Sequence, residues 1–243
     1  MPGISKAQRV SAILATLAQT YPEAHCELVF SNPLELLMAT ILSAQCTDVR
    51  VNQVTRTLFL RCKTAADYAA IPLPELEAII QPTGFFRSKA KHLKGCAQSL
   101  LEHHAGEVPQ SLEALTLLPG VGRKAANAVR GDAFQNPAGV VVDTHVQRLS
   151  GRLALSRHRS PEKIESDLMR LVPRAAWAKL SHWLIWHGRR RCGALKPDCA
   201  SCELNTLCPS AGKDASKIGR KTPANKPRKK PPLKVAPTDV HTQ

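Results

Sequence analysis

A chain of 243 residues with 34 Lys/Arg against 19 Asp/Glu, a formal charge of +15, can bury one large core or two small ones and is drawn to polyanions. Aromatic residues make up only 4%, which argues against a stacking platform for single strands and favours duplex binding through phosphates. The first twenty residues lack the layout of a secretory leader and no long apolar run follows, so a membrane span is excluded and a cytoplasmic protein is expected, nucleoid-associated if bacterial.

Apolar residues recur at helical spacing and β-type alternation is nearly absent, so the expected class is all-α. Ile4, Ala7, Val10, Ile13, Leu14 and Leu17 mark an opening helix, with Ser5 and Gln8 spaced as a capping box. Asn32-Pro33-Leu34-Glu35 reads as N-cap, N1 proline and N3 acid, opening a buried helix to about Ser43. The segment from Leu118 to Val129, LPGVGRKAANAV, joins two helix-forming stretches through a turn holding Gly120 and Gly122. Such a helix-hairpin-helix lets backbone N–H groups approach a DNA phosphate at a helix N-terminus. Lys124 falls in the first turn of the second helix, where the positive helix end favours a neutral, nucleophilic amine. The plainer reading is a glycine turn with a solvated lysine.

Val140-Val141-Val142 is the one strand-like run, too short to define a sheet, and it leads into Asp143-Thr144-His145. Asp143 can be a working carboxylate or the N-cap of the next helix, and both roles can coexist. His145 and Arg148 follow it by two and five residues, which places the three on more than one helix face. Ser160-Pro161-Glu162 is another helix start. Cys192, Cys199, Cys202 and Cys208 can enclose one metal centre. Zinc usually draws on two close pairs, and only Cys199 and Cys202 form one, so the spacing leans toward an iron–sulfur cluster. Disulfides are disfavoured, and Cys26, Cys46, Cys62 and Cys96 read as ordinary buried thiols. From Ala211 the chain is Lys/Pro-rich, with nine Lys/Arg against two Asp/Glu, and is expected to be disordered.

These motifs, together with Leu42-Ser-Ala-Gln-Cys-Thr-Asp48, Gly84-Phe-Phe-Arg-Ser-Lys-Ala90 and His182-Trp-Leu-Ile-Trp-His-Gly-Arg189, strongly resemble the endonuclease III family of DNA base-excision glycosylases over roughly residues 1 to 210. The resemblance implies the helix-hairpin-helix glycosylase fold. A helical domain would span residues 23–137, and residues 1–22 plus 138–210 would form a cluster-bearing domain. DNA would enter the cleft between them, and a disordered basic tail would occupy residues 211–243. It further implies a bifunctional glycosylase and abasic-site lyase, a monomer that acts on oxidised or ring-damaged pyrimidines in duplex DNA. A [4Fe-4S] cluster would sit on the four cysteines.

Lys124 would then attack C1′, and Asp143 would stabilise positive charge on the sugar. Leu118, Gly120, Val121, Gly122 and Arg123 would hold the DNA, with His145 as a further contact. Gln45 and Phe85 match positions that push into the duplex where the damaged nucleotide has left the stack. Phe85 departs from the smaller aliphatic residue expected there; core packing is its alternative, and of Phe85 and Phe86 one is expected to point inward. Two smaller departures are Ala125 in place of threonine and an interval from Lys124 to Asp143 with one residue more than the family pattern, the extra residue falling in the loop around Gln135 to Gly139. His182 and His187 are assigned to helix packing. The competing readings are an adenine-excising glycosylase of the same superfamily, a non-catalytic iron–sulfur DNA-binding protein, and a zinc-stabilised helical module.

Overall fold

In a computed structural model that describes residues 4–213, the chain folds into α-helices joined by short loops. The helices are α1 (Lys6–Thr20), α2 (Pro33–Leu42), α3 (Asp48–Arg61), α4 (Ala65–Ala70), α5 (Leu73–Ile80), α6 (Phe86–His104), α7 (Leu112–Leu117), α8 (Arg123–Ala133), α9 (Thr144–Arg152), α10 (Pro161–Leu171) and α11 (Trp177–Arg190). Among the described residues the only β-type pairing is a bridge between Cys192 and Pro197, and no helix is long and apolar enough to cross a membrane. The tail beyond Lys213, expected to be disordered, lies outside the described residues.

The start signals fall where the sequence puts them. Ser5 and Gln8 cap α1 reciprocally, Asn32 accepts from the Glu35 N–H ahead of Pro33, and Ser160 caps α10. Helix α2 has almost no polar face because it is enclosed on nearly all sides: Leu36, Leu37, Met38, Ala39, Ile41 and Leu42 are all buried. It packs on α3, α6 and α8 at the heart of one hydrophobic cluster that runs from Leu28 to Val129. A second cluster unites α1, α9, α10 and α11 and includes Val140 and Val142. The three-valine run therefore alternates in burial as a strand would, but it is a loop wedged between helices, with no partner strand to pair with. Each cluster belongs to one of two helical subdomains, and the cleft lies along the seam between them.

Polar side chains stitch that seam. Glu165 of α10 is buried and accepts from Arg123 (Nε 3.1 Å, Nη2 3.2 Å) and Asn127 (3.0 Å) of α8. Gly139 lies so close to this carboxylate that any side chain there would collide with it. His182 of α11 donates through Nε2 to Asp132 of α8 at 2.7 Å. Arg189 of α11 bridges Glu27 and Asp48, the latter at 2.8 Å.

Candidate active site and DNA interface

The hairpin occupies Leu118–Gly122, between α7 and α8. Leu118 and Val121 turn their side chains into the first core, and the Val121 N–H closes the turn on the Leu118 carbonyl at 3.1 Å. These two residues can therefore offer DNA only backbone. Gly120 has φ +80°, and a β-carbon there would come 2.8 Å from His92 Cβ, so both conformation and packing demand glycine. Gly122 is the N-cap of α8 with nothing within 4 Å of where its β-carbon would be. No side chain caps α8 and no acidic residue stands in its first turn. Open N–H groups and the positive helix end are thus presented together, as phosphate binding requires. Arg123 commits its guanidinium to Glu165, which leaves its backbone as the part best placed for DNA.

Lys124, the second residue of α8, is exposed and lines a cleft of about 670 Å³. Asp143 lines the same cleft from the other subdomain. It is also the N-cap of α9, its Oδ1 accepting from the Val146 N–H at 2.8 Å. The capping reading is thus realised, and because a cap occupies one carboxylate oxygen of two it leaves the other available to the cleft. Gln45 and His145 line the cleft as well. Burial pulls the His145 pKa below its ordinary value, against the opposing pull of the Asp143 carboxylate. Its Nδ1 lies 3.1 Å from Arg148 Nη2, which also donates to the Gly188 and Cys192 carbonyls. The two side chains share a helix face, as the i,i+3 spacing allows, and both crowd Gly188, where a β-carbon would lie 2.8 Å from His145 Nδ1.

Phe85 stands on the surface, 68% exposed, while Phe86 packs on the first core. Phe85 is thus the outward member of the pair, and it lies beyond the cleft wall. Gln45 and Phe85 both adopt left-handed backbone, with φ of 53° and 48°. Ala105, Gln135 and Ala154 share that conformation just past helix C-termini, where it is common. Phe85 differs in preceding a helix, a place where extended backbone is the rule.

Nothing in the local sequence marks the polar seam beside the cleft. Asp132, Asn127 and Glu165 sit at ordinary helical positions, and only the packing of α8 against α10 and α11 makes them an interface. His182, read as a packing residue, pairs with Asp132 at the cleft wall. A neighbouring hollow of about 740 Å³ on the same seam also contains His182 and Asp132, but neither Lys124 nor Asp143.

Beyond α11, Cys192, Cys199, Cys202 and Cys208 line one small apolar cavity with Leu149, Leu153 and Leu204. Arg152 is buried beside them and donates to Cys192 Sγ at 3.1 Å and to the Cys192, Gly193 and Ala194 carbonyls. His187, whose pKa burial lowers to about 4, lies 3.0 Å from the Tyr21 hydroxyl and 3.6 Å from Cys202 Sγ, tying α1 to the cysteine loop. Of the other four thiols Cys62 and Cys96 are buried, while Cys26 and Cys46 are only partly so.

A glycine-turned hairpin, an exposed amine behind it and a carboxylate across the cleft define a helix-hairpin-helix DNA glycosylase. In agreement, residues 38–174 match the HhH-GPD superfamily of base excision DNA repair proteins. The chain is 51% identical to endonuclease III of Synechocystis sp. over 207 residues, covering 85% of this chain and 94% of that protein. It is 46% identical to the Bacillus subtilis endonuclease III over 202 residues, covering 83% and 92%. A solved structure of a trapped endonuclease III–DNA covalent intermediate superposes with a TM-score of 0.81 at 44% identity, covering 86% of this chain and 98% of that one. The chain belongs to the endonuclease III family.

Proposed function

We infer that the cleft carries out its family's reaction with Lys124 as nucleophile and Asp143 as its electrostatic partner. The protein is a bifunctional DNA glycosylase and abasic-site lyase that removes oxidised pyrimidines from duplex DNA. The observation that carries the assignment of roles is the placement of one exposed amine and one carboxylate on opposite sides of a single cleft, beside an uncapped helix N-terminus. The 44%-identical relative trapped as a covalent intermediate with DNA supports a reaction through a covalent nucleophile.

The chemistry follows from these groups. With the damaged nucleotide extruded, Lys124 Nζ attacks C1′, the C1′–N bond breaks, and the base leaves with the bonding pair and takes up a proton. The Asp143 carboxylate stabilises the positive charge that develops on the sugar as that bond lengthens. Proton loss from the amine and opening of the sugar leave an imine, which acidifies C2′. Removal of a C2′ proton then expels the 3′ phosphate as the C3′–O bond breaks, and water releases the lysine. Gly120, Gly122 and the backbone of Leu118, Val121 and Arg123 grip the phosphates, Gln45 and Phe85 fill the space left in the stack, and His145 is a further DNA contact. In borohydride, wild-type protein and a duplex carrying an oxidised pyrimidine should give a covalent adduct. A chain that binds this duplex but is never trapped would refute the lyase assignment.

The four cysteines suit a [4Fe-4S] cluster. All four thiols line one small apolar cavity, and their uneven spacing in sequence, with only Cys199 and Cys202 as a close pair, is unlike the two close pairs zinc usually draws on. Arg152 supplies buried positive charge beside Cys192, and the apolar walls exclude water. The cluster would staple a loop that has little core of its own. Protein prepared under anaerobic, iron-replete conditions should be yellow-brown and contain about four irons per chain. Stoichiometric zinc without iron would overturn the assignment. Replacement of Cys199 or Cys202 by Ser should lower the iron content and the melting temperature together.

A further inference from the structure

We propose that Lys89 is a positioning residue, its buried ammonium tying the loop that carries Gln45 to the loop that carries Phe85 so that the two enter DNA at a fixed separation. The inference rests on the reading of Gln45 and Phe85 as the residues that fill the duplex.

The buried face of α6 runs Lys89, Ala90, Leu93, Cys96, Ala97, Leu100, an apolar stripe interrupted by one amine. Lys89 is 4% exposed, and burial pulls its pKa below the ordinary lysine range. A methionine would fill the space without that cost. What the amine adds is reach to two separate segments: Nζ donates to the Leu42 carbonyl and to the Thr83 carbonyl, each at 2.8 Å. Leu42 is the last residue of α2, and Thr83 closes the 3-10 turn Gln81–Thr83, so both acceptors lie at helix ends whose carbonyls need outside donors. Three residues after the first comes Gln45, and two after the second comes Phe85, both exposed and both in left-handed backbone. Lys94, one turn and a half further along α6, shows the contrast. Its amine caps the carbonyls of Ala69 and Ile71 in a single segment and joins nothing to the DNA face. Among the described residues, Lys89 is the amine that fastens both probing loops to one point.

The test compares two substrates. Single-turnover base release is measured on a duplex with an oxidised pyrimidine beside 2-aminopurine, whose fluorescence reports unstacking, and borohydride trapping on a duplex with a preformed abasic site. Lys89→Met should slow base release at least about tenfold more than trapping, because an abasic site has no stacked base to displace. Phe85→Ala should slow base release about tenfold in the wild-type background but less than about twofold in Lys89→Met, since residues acting as one unit are not additive. Lys89→Arg should recover part of the loss. If Lys89→Met is unfolded by its melting curve, Lys89→Gln, which keeps a donor but not the reach, takes its place. Equal losses on both substrates, or independent effects of Lys89 and Phe85, would overturn the proposal. If Phe85→Ala and Gln45→Ala leave fluorescence and base release unchanged, the duplex-filling reading fails and takes this inference with it. If they slow release and Lys89→Met does not, the inference fails alone.

Discussion

Replacement of Lys124 by Ala should abolish borohydride trapping and strand cleavage while leaving affinity for damaged duplex within about tenfold of wild type. The separation follows from where the side chain stands. Lys124 is exposed on the second residue of α8 and supports no packing, so its loss removes the amine without disturbing the fold. The phosphate grip belongs to the hairpin backbone, held by Gly120 against His92 and by the buried Leu118 and Val121, none of which needs the lysine. Trapping of Lys124→Ala at the wild-type rate would assign the nucleophile to another amine. A loss of binding far beyond tenfold would mean that the ammonium is itself a principal phosphate contact.

Asp143→Asn should slow base release on the order of a hundredfold or more, with a smaller effect on a preformed abasic site, because the charge it removes acts while the C1′–N bond breaks. The substitution isolates chemistry from structure. Asparagine caps helices about as well as aspartate, so the hydrogen bond to the Val146 N–H survives and stability should be nearly unchanged. Asp143→Ala loses both, and should add a destabilisation of about 1 kcal/mol to the same catalytic defect. Equal single-turnover rates for Asn and wild type would reduce Asp143 to its capping role.

Much of this was written in local sequence. The helix starts at Ser5, Asn32 and Ser160, the all-α class, the hairpin glycines and the candidate pair Lys124 and Asp143 are all set by short-range stereochemistry and spacing, and resemblance to the endonuclease III family assigned their roles. Other features depended on long-range packing. Whether Phe85 or Phe86 faces solvent is decided by which side of α6 meets the first core. That Leu118 and Val121 are anchors and that Arg123 answers to Glu165 follow only once the hairpin docks and α8 meets α10.

The sequence by itself determined the elements, the chemistry available and the family, because periodicity, caps and motif spacing act over a few residues. The tertiary structure decided the cleft walls. It paired His182 with Asp132, buried Glu165 beneath the start of α8 and drew Leu42 and Thr83 to one amine, Lys89. Contacts of this kind join residues as many as 162 positions apart, as between Glu27 and Arg189. They form because burial obliges each polar group to find a partner, and which partner is near depends on how the helices pack.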